Sequence, residues 1–284
     1  MIKLEKIFEL TDPFISAASG LVVHDNKILV ISDDENFIGI YNFETQTGQK
    51  SILFKEVLPN DKLLRKKQKG DFEALVHLNH LKKLLVIPSG STTNRMRGAL
   101  LLENGDFAQE ISFAPLYKIL GDQIKEINIE GGIAFDDELW LFQRGNGVEN
   151  KNALIFLNLT DFLNASPLHP RILDVSLGHF HQVPLSFTDA TKAEHVILFL
   201  AVAEDSQSTY LDGTVVGSVL GVMNYSGEIL DTMPLDTNSK PEGLSYNAFD
   251  KCFYLVTDDD NPHHPASLFK GELPRKWHKY ISAL

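Results

Sequence analysis

The sequence predicts an all-β chain: a five-bladed β-propeller with four antiparallel strands per blade, the last blade closed by the N-terminal strand. Three observations predict it. An acid or hydroxyl residue followed by a small residue and an apolar alternation recurs at Ser19, Glu73, Glu130, Ser186 and Glu242, at intervals of 54, 57, 56 and 56 residues. After each of these positions, strand-like stretches alternate with tight polar turns. Five such periods occupy nearly all of the 284 residues, which leaves no room for a linker and gives one domain over 1–284.

Each repeat follows the same plan. The first reads "LVVHDNKILVISDDEN", then "FIGIYNFE" and "SILFKEV". The second reads "LVHLNHLKKLLVIPSGS", "GALLLEN" and "EISFAPL", and the third "IAFDDELWLFQRGNG", "ALIFLNL" and "RILDVSL". The fourth offers "HVILFLAVAEDS", "VLGVMNY" and "EILDTMPL". Gly, Asn and Asp in the connections mark antiparallel hairpins. The fifth has "LSYNAFDKCFYLVTDDDN" and "ASLFKGE", but then breaks at Pro274 without a fourth strand. "IKLEKIFEL" at the chain start has no other place, so it is expected to supply that strand and close an otherwise open edge. The Gly-Gly and Trp-Asp signals of kelch and WD arrays are absent.

Composition narrows the function. The 43% apolar content, with 18 Phe, supports a substantial core, and no apolar run approaches the roughly 20 residues of a membrane helix. Cys252 is the sole cysteine, which excludes an internal disulfide and fits a reducing compartment. A cytoplasmic location is expected, although an exported form without its leader would look the same. The net charge of −12 argues against nucleic acid and anionic membrane as partners. A small anionic substrate or ligand is expected instead, bound by a monomer. The basic run "RKKQK" at 65–69 reads as a solvated loop.

In a propeller the innermost strand of each blade borders the central channel. Ser19, Glu73, Glu130, Ser186 and Glu242 would then converge at one mouth. Three neighbouring carboxylates resist joint ionisation, and oxygen ligands without His or Cys suit a hard ion, so a shared Ca²⁺ is expected. The competing reading is that each Glu caps backbone amides of its own loop. His179 and His181 share a strand face but lack a third ligand. The loops opening on the same mouth carry Asn94, Arg95, Arg97, Arg144, Asn146, Glu204, Asp205, Tyr210, Asp212 and Asp258. Arg95, Arg97, Asn94 and Asn146 are candidates for binding an anionic group. Arg144, Glu204, Asp205 and Asp258 are candidates for charge stabilisation and proton transfer.

The segments "DFEALVHL", "LLVIPSGSTTNRMRG", "NIEGGIAF", "LWLFQRGNG", "AVAEDSQSTYLDGTVVGSVLGV" and "KPEGLSYN" resemble an uncharacterised bacterial propeller family related to phytase-like and esterase-like propeller domains, over about residues 15–262. More distantly, the Ser/Glu/Glu/Ser/Glu series is similar to that of the calcium-activated nucleotidases. That resemblance implies an axial calcium ion on Ser19, Glu73, Glu130, Ser186 and Glu242. The nucleotide-handling loops do not match. Two functions follow as expectations: a metal-dependent hydrolase of a phosphate or carboxylate ester, or a non-enzymatic ligand- or protein-binding propeller in which the ion is structural.

Overall fold

A computed structural model of the protein describes residues 1–56, 58, 65, 67–147, 149, 151–205, 213–258 and 261–281. The chain starts with β1 (Ile2–Glu9). A first meander follows: β2 (Ala18–His24), β3 (Lys27–Ser32), β4 (Phe37–Asn42) and β5 (Gly48–Ile52). The second is β6 (Phe72–Leu78), β7 (Lys83–Pro88), β8 (Arg97–Leu102) and β9 (Phe107–Ser112), followed by α1 (Ala114–Leu120). The third is β10 (Ile129–Phe135), β11 (Glu138–Gln143), β12 (Ala153–Asn158) and β13 (Arg171–Asp174), with α2 (Leu159–Leu163) before its last strand. Then come β14 (His179–Phe180), β15 (Val183–Ala193), β16 (Val196–Asp205), β17 (Thr214–Met223) and β18 (Ile229–Asp236). The last strands are β19 (Lys240–Asn247), β20 (Cys252–Asp258) and β21 (Ser267–Glu272), and α3 (His278–Ile281) follows.

Hydrogen bonding corrects the expectation of five separate four-stranded blades. Three sheets do have four strands each, but the other nine strands form one continuous sheet in the order β14-β15-β16-β17-β18-β1-β21-β20-β19. The cause is β1. On one edge it pairs antiparallel with β21, through Leu4↔Gly271 to Glu9↔Ser267. On its other edge Ile2 and Lys3 pair parallel with Leu235 and Asp236 of β18. A strand with two open edges satisfies both, so the seam becomes a junction. The sequence period reveals repeats, but not the pairing of a strand with one far along the chain.

The first strands of the repeats pack in a closed ring: β2 on β6, β6 on β10, β10 on β15, β15 on β19, and β19 back on β2. Apolar clusters fill the spaces between neighbouring sheets. One joins Ala74, Val76 and Leu85 to Leu139, Leu141 and Ile155, and another joins Phe142 and Phe156 to Phe187 and Phe199. Burial of each Val, Leu, Ile or Phe among them contributes roughly 1.5–3 kcal/mol. Trp277 is fully buried in a further cluster with Leu198, Leu220 and Phe253, and its indole N–H donates to Asp231 at 2.7 Å.

Every inner strand has a β-bulge, near the start of β2, β6, β10 and β19 and midway along β15, and these bulges underlie the repeated signal. Register slips between Ala18 and Gly20, Phe72 and Ala74, Ile129 and Gly131, Phe187 and Asp189, and Pro241 and Gly243. The residues left unpaired are Ser19, Glu73, Glu130, Thr188 and Glu242. A bulge re-aims one side chain away from the pleat. After four of the five bulges a small residue follows, and it is a matter of space: a Cβ on Gly20 would lie 2.8 Å from the backbone nitrogen of Leu75, and one on Gly243 would lie 3.0 Å from that of Leu21. The fourth bulge residue is therefore Thr188, two positions beyond Ser186, because the third and fourth repeats are spaced by more than the average period.

Candidate functional site

The bulge residues crowd one end of the inner ring, but they do not form a single shell of oxygens. The two hydroxyls point to the backbone of the next repeat. Ser19 Oγ donates to the carbonyl of Phe72, and Thr188 Oγ1 donates to the carbonyl of Pro241 at 2.8 Å. Each accepting carbonyl immediately precedes a bulge glutamate. Asp189 adds a second staple by accepting from Leu244 N at 2.6 Å and Ala190 N at 2.7 Å. Its burial raises the carboxyl well above the usual range.

Two of the three glutamates are built around Arg144. Its Nη1 lies 3.2 Å from Glu130 Oε1 and 3.9 Å from Glu242 Oε1, and its Nη2 binds Glu204. Nε donates to Ser186 Oγ at 3.4 Å. A guanidinium thus stands between two residues expected to share an ion, so Ser19, Glu130, Ser186 and Glu242 as they stand do not fit one calcium shell. The loop "QRGNG" fixes Arg144 from behind. Gln143 accepts from Asn128 N at 2.9 Å and donates to Arg144 O at 2.7 Å, and Asn152 accepts from Gly145 N at 2.9 Å.

Residues two positions before each of the three bulge glutamates complete the network. Asn128 Nδ2 donates to Glu130 Oε1 at 2.7 Å, and Lys240 Nζ lies 2.8 Å from Glu242 Oε1. Asp71, two before Glu73, is held by Arg95 Nη1 at 2.7 Å, by Lys69 Nζ at 3.2 Å and by Ser89 Oγ at 2.5 Å. Lys69 also binds Asp33, and Asp34 at 3.1 Å. The expected solvated run at 65–69 therefore contributes a buried cation, since Lys69 is only 7% exposed. Lys69, Lys240, Asp33 and Asp71 were not evident as site residues. The minus-two spacing was the available signal for Lys240 and Asp71.

The remaining acids form a distinct cluster. One carboxylate oxygen from each of Asp33, Asp71 and Glu73 lies within 4.8 Å of the others. Among the described residues nothing donates to the Glu73 carboxylate, and Asp33 Oδ1 and Glu242 Oε2 are buried without a partner. Seven carboxylates (Asp33, Asp34, Asp71, Glu73, Glu130, Glu204 and Glu242) thus meet four cations (Lys69, Arg95, Arg144 and Lys240). Burial, opposed by Lys69 and reinforced by Asp34 and Asp71, lifts Asp33 to about 7. Burial, opposed by Arg144 and reinforced by Glu242, lifts Glu130 to about 7. Glu73 stands well above its usual range through burial and the charges of Glu130 and Asp71. Burial alone would lower Lys69, but Asp33 and Asp71 outweigh it and raise the amine. At Asp33, Asp71 and Glu73 an all-oxygen set with excess negative charge and the orphaned Asp33 Oδ1 suits a hard divalent cation, which would compete there with the Lys69 ammonium for Asp33 and Asp71.

The loop candidates divide. Arg95, Arg144 and Glu204 lie in the buried network, with Glu204 Oε1 also accepting from Gly213 N at 2.6 Å. Arg97 does not join them: it is exposed, paired with Glu110 and Glu56, and stacked over Phe54. Its place at the start of β8 turns it to the outer rim. Asn94 is exposed and donates to Lys67 O at 2.9 Å, while Asn146 accepts from Asn128 at 3.4 Å. Asp205 is exposed at the end of β16, and Asp258 pairs across the sheet with Lys240 in the β19–β20 ladder. Tyr210 and Asp212 lie outside the described residues. His179 lines an open cleft of about 630 Å³ together with Lys151, Asn152, Asp174 and Leu177.

A family model described as a family of unknown function (DUF6929) matches residues 14–273. No curated protein matches the chain. Among solved structures, the glutaminyl cyclase of Myxococcus xanthus superposes with a TM-score of 0.51 at 13% identity, covering 95% of this chain and 96% of its own. A luciferin-regenerating enzyme gives 0.50 at 10% identity over 96% and 95% of the two chains. The WD40 repeats of RRP9 give 0.50 at 5% identity over 95% and 97%. At these identities the likeness shows the fold alone, that of a β-propeller, and the set spans enzymes and WD40 repeats. Among the described residues no helix is long and apolar enough to cross a membrane.

Proposed function

We propose that this chain, which belongs to the DUF6929 family, holds a divalent cation of the Ca²⁺ class at one mouth of its inner ring and hydrolyses a small phosphate or carboxylate ester beside it. The observation that carries this reading is the cluster of Asp33, Asp71 and Glu73, whose oxygens converge within 4.8 Å with no donor to Glu73 among the described residues. An ion of this kind supplies Lewis-acid polarisation of an ester oxygen. The protein's own groups have separate tasks. Asp33, Asp71 and Glu73 would be the ligands. Arg95 and Lys69 hold Asp71 in place. Glu130, lifted to about 7, is matched to taking up and returning a proton near neutral pH. Arg144 beside it tempers charge that develops nearby. Glu204 positions Arg144 and does not serve as the base in this reading, because it is already bound to the guanidinium.

One observation favours the alternative of a ligand- or protein-binding propeller. Arg95 and Arg144 are engaged by internal carboxylates and are 5% and 4% exposed, so neither offers a free fork to an anion. Calorimetric titration with Ca²⁺ on wild type and Glu73→Gln/Asp71→Asn, together with turnover of p-nitrophenyl phosphate and acetate with and without chelator, tests both. Calcium heat and chelator-sensitive turnover, both lost in the double variant, support the hydrolase. Calcium heat with no turnover supports the binding propeller. Wild type that takes up no calcium overturns the ion site.

A further inference from the structure

We propose a second, chemically different metal site at the opposite mouth of the inner ring, formed by His24, His77 and Glu103 and selective for a borderline divalent ion such as Zn²⁺. The bulges lie at the starts of β2 and β6, whereas His24 is the last residue of β2 and His77 the penultimate residue of β6. The two imidazoles are thus at the other end of the same strands. Glu103 opens the turn from β8 to β9, which faces the same way as the turn from β6 to β7.

One coordinating atom from each residue lies within 4.8 Å of the others. His77 Nε2 is 3.0 Å from Glu103 Oε1, and the His24 and His77 rings meet edge to face with centroids 4.8 Å apart. The three side chains are 44%, 17% and 34% exposed, which leaves an ion able to enter. Two imidazole nitrogens and one carboxylate oxygen, without thiolate, suit Zn²⁺ or Co²⁺, and three protein ligands leave one position for water. Asp25 Oδ2 lies 3.5 Å from His24 Nε2, within reach to orient that ring.

His77 and Glu103 come from the second sheet and His24 from the first. A bound ion would therefore clamp the two sheets at the end away from the Ser19–Phe72 hydrogen bond and the Lys69–Asp33 ion pair. Counted from the bulges, His24 stands five residues after Ser19 and His77 four after Glu73, so the two rings come from neighbouring, not equivalent, places in the first two repeats. Nothing in this site depends on the acid cluster at the other mouth.

Titration of the full chain with Co²⁺, read by visible absorption, and with Zn²⁺, read by calorimetry, tests the proposal. Wild type should bind one ion with d–d bands of a low-symmetry nitrogen–oxygen site. His24→Gln, His77→Gln and Glu103→Gln should each weaken Zn²⁺ binding by at least about tenfold. Glu73→Gln should leave Zn²⁺ binding unchanged, which separates this site from the acid cluster. All three substitutions are on partly exposed side chains, and metal-free melting curves check that the variants remain folded. Wild type without Co²⁺ bands, or His77→Gln binding Zn²⁺ as tightly as wild type, would overturn it.

Discussion

Arg144 Nη1 stands 3.2 Å from Glu130 Oε1 while its Nη2 holds Glu204, so one buried guanidinium ties the third inner strand to the fourth repeat. Removing the cation would leave Glu130, Glu204 and Glu242 buried with less compensation. Arg144→Met should cost about 3–5 kcal/mol in denaturant unfolding. Combining it with Glu130→Gln should recover part of the loss, because one orphaned charge disappears. A double variant no more stable than Arg144→Met would show that the glutamate is not the group left stranded.

Asp33 and Glu130 make stability depend on pH in a stated direction. Their folded values of about 7 lie above the ordinary 3.8 and 4.5. The folded carboxyls keep protons that the unfolded chain has released. Their contribution is full below about pH 4 and is lost as pH rises through 7. Melting temperature should fall from pH 5 to pH 8, with a loss on the order of 3 kcal/mol at most for one such group. Glu130→Gln should flatten the slope. Unfolding curves of both proteins across this range decide it, and an unchanged slope in the variant would count against the assignment.

Thr188, and not Ser186, occupies the fourth bulge. Thr188→Val keeps the shape but leaves the Pro241 carbonyl without its 2.8 Å donor, and should cost about 1–3 kcal/mol. Ser186 has only long contacts, 3.3 Å to Val202 O and 3.4 Å to Arg144, so Ser186→Ala should cost about 1 kcal/mol or less. Urea unfolding of the two variants side by side checks the order, and the reverse order would place the structural hydroxyl at Ser186.

Strand β1 fuses the ends of the chain. Deleting residues 1–10 would bare the edges of β21 and β18 and remove the buried Ile2, Phe8 and Leu10. A loss of about 5 kcal/mol or more is expected, with aggregation through the exposed edges. Light scattering and thermal melting of the truncated chain measure both, and a truncation that melts like the full chain would refute the seam.

By itself the sequence determined the repeat and most of the inner ring. Glu73, Glu130 and Glu242 were legible because at these bulges the extra residue is followed by a small one, written as "EA" or "EG" before the alternation, whereas Thr188 is followed by Asp189 and carries no such mark. The strand at residues 2–9 was legible as an orphan that pairs with the last repeat, but its second edge was not. Tertiary structure alone decided the rest. The parallel ladder between Ile2 and Leu235 joins residues more than two hundred positions apart, and no local pattern encodes it. The fourth bulge fell at Thr188 because loop lengths vary while an average period does not. Above all, the charges of the mouth were settled by packing. Lys69 and Lys240 look like ordinary surface lysines in the sequence, and only the closing of the ring buries them among carboxylates, where a nearby opposite charge outweighs the cost of leaving water.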